Sequence, residues 1–525
     1  MATISFRNGK FVGRCLFDER HIFRDHGFLW SAEKKYWYTI NPETASQLRD
    51  FCDDSANNEI EKRIITITPW PGSVSAPPIE ATPRHFQIDA VNFILARNRS
   101  YIAADPGSGK TIIAALAMYN LKGKALFICP PFAIHTMRAE FEKWCPGMIV
   151  KFVDPIYDFD ADILIMKDNL LLDNHLTQAL FDHFNQIENS IAFIDEAHRF
   201  KEAEALRTIG IFGGAKKRGQ KQKEKIQVPV PSIEYPELTR AFKRVAALSG
   251  TPMPNRPIEL FPITKALAWD AISFLTYFEY GIRWCKGFKS KFGWDFTGAS
   301  NVDDLFNRLK KKFMLRIKKS DVLKEIPPVV EQIFILEADV TLNLAKQNVA
   351  LLRMFDEEKP NFGLETDSLA TYRRQCGEQK VIPVCKYLHE ILLDTEDKIL
   401  IFAVHTEVIR RLTERLHKYN PLVITGQTPV DQRHLIVKKF QEDPKHRVFI
   451  GNIQAAGTCF TLTKATRVIF AEFSYVPGEN RQAIDRAVRI GQDQIVLAQY
   501  LVLKNSVDKS ILEAVMRKTK NIEKL

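Results

Sequence analysis

The feature that most restricts this chain's fold is a strand that breaks into a glycine loop and reopens as a helix. Tyr101–Ala104 is apolar and strand-like. Asp105-Pro106-Gly107-Ser108-Gly109-Lys110-Thr111 follows, and Thr111–Leu121 then has a helical pattern. Strand, loop and helix in that order are the setting a phosphate-cradling loop requires. Gly107 and Gly109 let backbone N–H groups face phosphate oxygens, and the helix start adds the positive end of its dipole. Lys110 is placed to reach the β- and γ-phosphates, and Thr111 to ligate Mg²⁺. Asp105, Pro106, Gly107, Ser108, Gly109, Lys110 and Thr111 are therefore read as the binding loop for ATP with Mg²⁺. Ala104 stands where the strict pattern has its first glycine.

Two further segments carry charge suited to that chemistry. Phe193-Ile194-Asp195-Glu196-Ala197-His198 sets two carboxylates at the end of an apolar strand. Asp195 is expected to hold Mg²⁺, and Glu196 to orient and polarise the attacking water. His198 is a candidate coupler to neighbouring segments. Far downstream, Arg481–Gln492 carries Arg486 and Arg489, three apart and so on one face of a helix. Arginine aimed at a γ-phosphate stabilises charge that develops in the transition state.

Around these segments β-branched runs alternate with helical ones: Ile102–Ala104, Ala125–Cys129, Ile191–Ile194, Val245–Ser249, Ile399–Val404, Leu422–Thr425, Val448–Gly451, Val468–Glu472 and Val496–Val502. Runs apolar on both faces suit buried parallel strands, and the alternation implies an α/β fold with parallel sheets. So many strands in 525 residues suit two sheets better than one. Residues 1–60 form a small α+β unit rich in aromatics and bases. Residues 61–82 read as a linker, with Pro69, Pro71, Pro77 and Pro78 limiting regular structure. Residues 83–320 and 321–525 are then two lobes.

Charge and cysteine usage narrow the class. Lys plus Arg exceed Asp plus Glu by 74 to 63, a net +11 that mildly favours a polyanionic partner. Gly213–Lys225 has six bases and one acid and reads as a basic surface loop able to touch phosphates. The 8 cysteines form no Cys-x-x-Cys pair and no zinc-finger spacing, so protein-bound zinc is not expected. Free thiols point to a reducing compartment, cytoplasm or nucleoid, in keeping with the lack of a signal-peptide pattern. No apolar run is long enough for a membrane span.

Taken in order, the segments resemble the Swi/Snf-type ATPases, a DNA-translocating branch of the superfamily II helicases. Pro83-Arg84-His85-Phe86-Gln87 is similar to the adenine-contacting motif, with Gln87 as the contact. Cys129-Pro130-Pro131, Leu248-Ser249-Gly250-Thr251-Pro252 with Asn255, Lys398–His405, Thr425–Thr428 and Ala455–Thr458 match later motifs in turn. Gly293–Asn301, Phe313–Leu323 and Tyr372-Arg373-Arg374 with Gly377 and Lys380 resemble the annealing-helicase, or HARP-like, branch. Gly13–Phe17 and His26–Thr39 are similar to that branch's accessory DNA-engaging domain. The family loop usually reads Asp-Glu-Met-Gly-Leu-Gly-Lys-Thr, Cys459-Phe460 replaces Gly-Leu, and Val488 replaces the histidine of the arginine motif. The compact form resembles phage or bacterial members.

The resemblance implies two tandem RecA-like lobes, the first holding ATP and the second supplying Arg486 and Arg489 across a cleft. It implies a double-stranded-DNA translocase acting on branched or forked DNA by fork regression, branch migration or strand annealing, with recombination or replication proteins as possible partners. Two alternatives stand beside it: a single-strand or RNA unwinding helicase, and a non-catalytic nucleic-acid clamp. In the N-terminal unit, Phe28, Trp30, Tyr36, Trp37 and Tyr38 beside Lys34 and Lys35 are candidates for stacking on unpaired bases, with the core the favoured place for Trp30 and Trp37.

Overall fold

Each strand predicted from an apolar run is a strand in the structure, a computed structural model. The structure describes residues 2–154, 158–217, 232–290, 293–337, 366–453, 461–489, 491–504, 506 and 508–523. The N-terminal residues build an antiparallel sheet from β1 (Thr3–Arg7), β2 (Lys10–Arg14), β3 (Leu29–Ser31) and β4 (Tyr36–Thr39), in the order β1-β2-β4-β3. Helix α1 (Arg20–Asp25) and the short α2 (Pro42–Ser46) precede α3 (Asp54–Arg63), which starts where the Asp53 side chain accepts from the Ala56 N–H. Phe11, Phe23, Phe28, Leu48 and Ile60 form this small core. Trp37 packs against it. Trp30 does not: contrary to the core expectation it is 51% exposed and meets Trp37 at a tilt of 57°, with ring centroids 5.4 Å apart. Trp30 and Trp37 are directly paired across β3 and β4, and the core behind them is already filled by phenylalanines.

The first large sheet comprises β5 (Arg99–Ala104), β6 (Lys124–Cys129), β7 (Val150–Phe152), β8 (Ile163–Lys167), β9 (Ser190–Ile194), β12 (Arg244–Ser249) and β15 (Met314–Ile317), in the order β15-β5-β12-β9-β6-β8-β7. The two short hairpins β10 (Gly214–Lys217)–β11 (Ser232–Tyr235) and β13 (Phe288–Ser290)–β14 (Gly293–Asp295) stand outside it. Pairings β5–β12, β12–β9, β9–β6, β6–β8 and β8–β7 are all parallel. β5 and β9 are buried along their whole length, as strands covered on both faces must be. Most of the basic Gly213–Lys225 segment lies outside the described residues.

The second large sheet is wholly parallel: β16 (Val329–Leu336), β17 (Lys398–Ala403), β18 (Leu422–Ile424), β19 (Val448–Asn452), β20 (Ala465–Phe470) and β21 (Val496–Leu503), in the order β16-β21-β20-β17-β19-β18. Alternate residues of β17 feed two cores. Leu400 and Phe402 join one; Ile399, Ile401 and Ala403 join the other. The period of two thus spreads one strand over both faces. Such sheets, each with helices interleaved along the chain, are the two α/β lobes that the strand pattern predicts and the RecA-like lobes that the resemblance implies.

By contacts the chain divides into two units. One holds Met1–Ala104, Gly109–Pro252 and Arg256–Arg316; the other holds Asp105–Ser108, Met253–Asn255 and Ile317–Leu525. Within the first, the small N-terminal sheet is attached by its last helix. Glu59 takes Arg240 at 2.6 Å and Arg63 at 2.5 Å, and Asn98 donates to the carbonyls of Glu61 and Ile64. The segment read as a linker is fastened too: Thr68 N–H donates to Ala96, and Ser75 N–H to Asn120. Among the described residues no helix is long and apolar enough to cross a membrane.

Candidate nucleotide site

In the first unit, β5 delivers its chain into the loop, and α5 (Lys110–Leu121) begins at Gly109. Gly109 has φ +81°, a left-handed backbone that glycine adopts without steric cost. It is also crowded: a Cβ there would run into the Gln87 side-chain amide. Gln87 is buried at the start of helix α4 (His85–Leu95), and its Oε1 accepts from Arg84 N–H at 2.9 Å. Gln87 and the phosphate loop are therefore packed together, across 22 residues of sequence. Lys110 Nζ donates to Ala104 O at 3.2 Å, and the Thr111 hydroxyl meets Met137 Sδ at 3.4 Å.

β9 ends at the carboxylate pair. Asp195 N–H donates to Ile128 O at 2.8 Å, extending the β9–β6 ladder and fixing where the side chain leaves the sheet. Burial pushes the Asp195 carboxyl up to about 7; Glu196 adds to the push and Lys110 opposes it. A divalent cation would relieve that burial, and the Thr111 hydroxyl, held here only by a soft thioether, is a suitable second oxygen ligand. The donor set thus fits Mg²⁺. Glu196 sits at φ 47°, ψ 49°, and its Oε2 lies 3.3 Å from His198 Nδ1. That ring nitrogen also lies 2.9 Å from Ser249 Oγ and 3.5 Å from Thr251 Oγ1. His198 is hence the physical link from the carboxylates to Ser249-Gly250-Thr251. Burial lowers its basicity, and Glu196 partly restores it.

The second unit holds the arginines. Helix Pro477–Ile484 stops before them, so Arg486 and Arg489 do not share a helical face as their spacing predicts. Residues 485–489 form turns, with Arg486 N–H donating to Ala483 O and Gln492 N–H to Arg489 O. Arg486 is buried, while Arg489 Nη1 donates to Thr461 Oγ1 at 3.1 Å. Lys319 holds this turn. Its Nζ donates to Asp485 Oδ1 and to Val488 O, each at 2.7 Å, and both Lys319 and Asp485 are buried. Within the same unit, Lys319 N–H donates to Asp105 Oδ2 at 2.9 Å, and a Cβ on Gly107 would lie 3.1 Å from Arg489 Cγ. Ser108 is fully buried, its N–H donating to Asp105 O.

Other motif residues have structural work. Glu472, just past β20, accepts from the N–H groups of Val404 and His405 and from the His405 ring. Gly377 leaves it room, since a Cβ there would strike its carboxylate. Lys380 is buried against Asp508 at 2.8 Å. Spacing does not announce Lys319, Asp485 or Glu472, because a buried ion pair has no local sequence period. The Ala455–Thr458 motif and Cys459-Phe460 lie outside the described residues.

Residues 380–491 match the family model described as helicase conserved C-terminal domain, and residues 80–228 the one described as type III restriction enzyme, res subunit. A Xenopus laevis protein named SWI/SNF-related matrix-associated actin-dependent regulator of chromatin subfamily A-like protein 1 is 30% identical over 449 residues, covering 83% of this chain and 43% of the relative. The Bos taurus DNA annealing helicase and endonuclease ZRANB3 is 30% identical over 447 residues, covering 81% and 38%. A solved Sulfolobus solfataricus SWI2/SNF2 ATPase core in complex with dsDNA aligns at a TM-score of 0.38 with 20% identity, over 86% of this chain and 94% of that one. The chain spans less than half the length of the two curated relatives. The two family matches and the two curated relatives agree: the chain's homologues are SWI/SNF-related, helicase-like proteins.

Proposed function

We propose that the chain is a DNA-dependent ATPase that translocates along duplex DNA and remodels branched or forked DNA. The observation that carries this reading is the physical joining of Lys110, Gln87, Asp195, Glu196 and His198 around one loop, with a second unit presenting a fixed arginine turn. Lys110 and the N–H groups of the loop would bind the phosphates of ATP. Asp195 and Thr111 would hold Mg²⁺, which neutralises phosphate charge when bound. Glu196, oriented by His198, would accept the proton of the attacking water. Arg486 and Arg489 would stabilise charge that develops on the phosphates.

Coupling to a track follows from the same contacts. A change at Glu196 moves His198, and His198 moves the Ser249–Thr251 turn. A sequence-independent track must be held through phosphates, for which a net charge of +11 is suited. The annealing-helicase name of the Bos taurus relative supports the branched-DNA reading. So does exposed Trp30, which with the neighbouring exposed Lys34 and Lys35 offers a ring and two cations to a junction. Displacement of a third strand from a triplex-bearing duplex tests translocation. The wild-type chain with ATP should release the strand, and the Glu196→Gln variant should not. Equal release without ATP would refute the reading.

A further inference from the structure

A second cationic cavity lies in the first unit, at the opposite end of β5 from the phosphate loop. Its volume is about 480 Å³, and its lining includes Arg49, Arg97, Arg99, Arg240, Lys243 and Arg244. Glu61 and Glu188 are the acids among its lining residues. Strand β5 starts at Arg99 and ends at Ala104, so at ~3.3 Å per residue the cavity is on the order of 17 Å from the loop. Nucleotide held by Lys110 does not fill it.

Three of its guanidiniums are in an unusual state. Arg99 is buried, and its N–H groups reach only carbonyls: Asn98 O at 2.8 Å, Lys243 O at 3.2 Å, Phe242 O at 3.4 Å and Thr239 O at 3.5 Å. Arg97 donates to Lys312 O and Phe93 O, and Arg244 to Leu95 O. Among the described residues none of the three makes an ion pair with a carboxylate, whereas Arg240 has both Glu59 and Glu237. Carbonyl dipoles satisfy donors but bring no opposite charge. Burial accordingly pulls all three below the ordinary arginine range; the Glu237 charge raises only Arg99 back, while Arg97 and Arg244 lie over the Phe93 and Trp70 rings, which carry no full charge. Removing cations from water without a counter-charge is costly, and a guanidinium's planar fork matches phosphate oxygens. Arg49 and Lys243, both exposed, extend the same charge to the cavity mouth.

We propose that this cavity is a second phosphate site, taking an anion with at least two phosphate groups, either a stretch of nucleic-acid backbone or a free polyphosphate. It lies where the N-terminal module meets the first lobe, so its occupant would bear on both. The inference stands apart from the ATPase reading, because the two sites share no residue.

The test uses the full chain carrying Lys110→Ala, which silences the phosphate loop. Tripolyphosphate and a short blunt duplex are titrated separately, with thermal unfolding and binding as readouts. A saturable rise in Tm with either ligand is expected. Arg244→Met and Lys243→Ala, added in turn, should each weaken that binding at least ~5-fold, and for the duplex each should lower the salt slope by about one. Saturation by tripolyphosphate identifies a free anion, and saturation by duplex alone identifies backbone. If Arg244→Met fails to fold, Lys243→Ala and Arg49→Ala, both on exposed side chains, decide the matter. No rise with either ligand, or a rise the variants leave unchanged, overturns the proposal while leaving the ATP site untouched.

Discussion

Glu196 occupies a left-handed backbone, at φ 47°, that a glutamate adopts only under constraint. Such outliers gather where geometry serves chemistry. The carboxylate it aims meets His198, so Glu196→Gln keeps shape and hydrogen bonding but removes the base. Phosphate release should fall at least ~100-fold, with fluorescent-nucleotide binding retained; unaltered turnover would support the non-catalytic clamp. Arg489→Ala should lower kcat by ~10³-fold or more, read by steady-state kinetics, with little change in nucleotide affinity. Asp195 and Glu196 were legible from sequence because they follow a strand directly, and Lys110 because it opens a helix after a strand and a glycine loop. Trp30 was not, because composition reveals that a ring must be covered somewhere and not which of two paired rings is.

At the scale of elements, the arginine turn is the telling case. A spacing of three suggests a helix, yet helix Pro477–Ile484 ends first, and the turn is shaped by Lys319 from 166 residues away. Long-range ion pairs leave no mark on a local pattern. Lys319→Met leaves the buried Asp485 carboxylate only its longer pair with Arg481, at 3.6 Å, and should cost about 3 kcal/mol by denaturant unfolding. Adding Asp485→Leu should restore most of that stability but not the ATPase rate, since the turn has lost its tie to Val488. Glu472 offers a pH test. Burial raises its carboxyl, but the His405 ring and amide outweigh burial and hold it below its ordinary 4.5. A lowered native value stabilises the fold above 4.5, and that contribution is lost as pH falls through the native value. Glu472→Gln should therefore flatten the acid limb of the stability curve by up to one proton in slope. Nine strands of the two large sheets were readable, because a buried parallel strand must be apolar on both faces. β7, β8, β15 and β16 were not: β7 and β15, with three and four residues, are too brief to show a period, nothing local separates the short apolar run of β8 from a buried helix turn, and β16 is an edge strand that is mostly exposed.

At the scale of the whole molecule, the proposed labour is divided between two units. Lys110, Asp195 and Glu196 belong to one, and Arg486 and Arg489 to the other. Neither alone has both the proposed water-activating base and the proposed arginines. The N-terminal sheet, attached through Glu59 and Asn98, is the proposed further contact of the first unit with nucleic acid. The measurement that tests this most directly is the steady-state ATPase rate of the intact chain with linear duplex, forked duplex, single-stranded DNA and RNA in turn. The account predicts strong stimulation by duplex, most by the fork, and little by single strands or RNA. Stimulation by single-stranded DNA or RNA with none by duplex would contradict it.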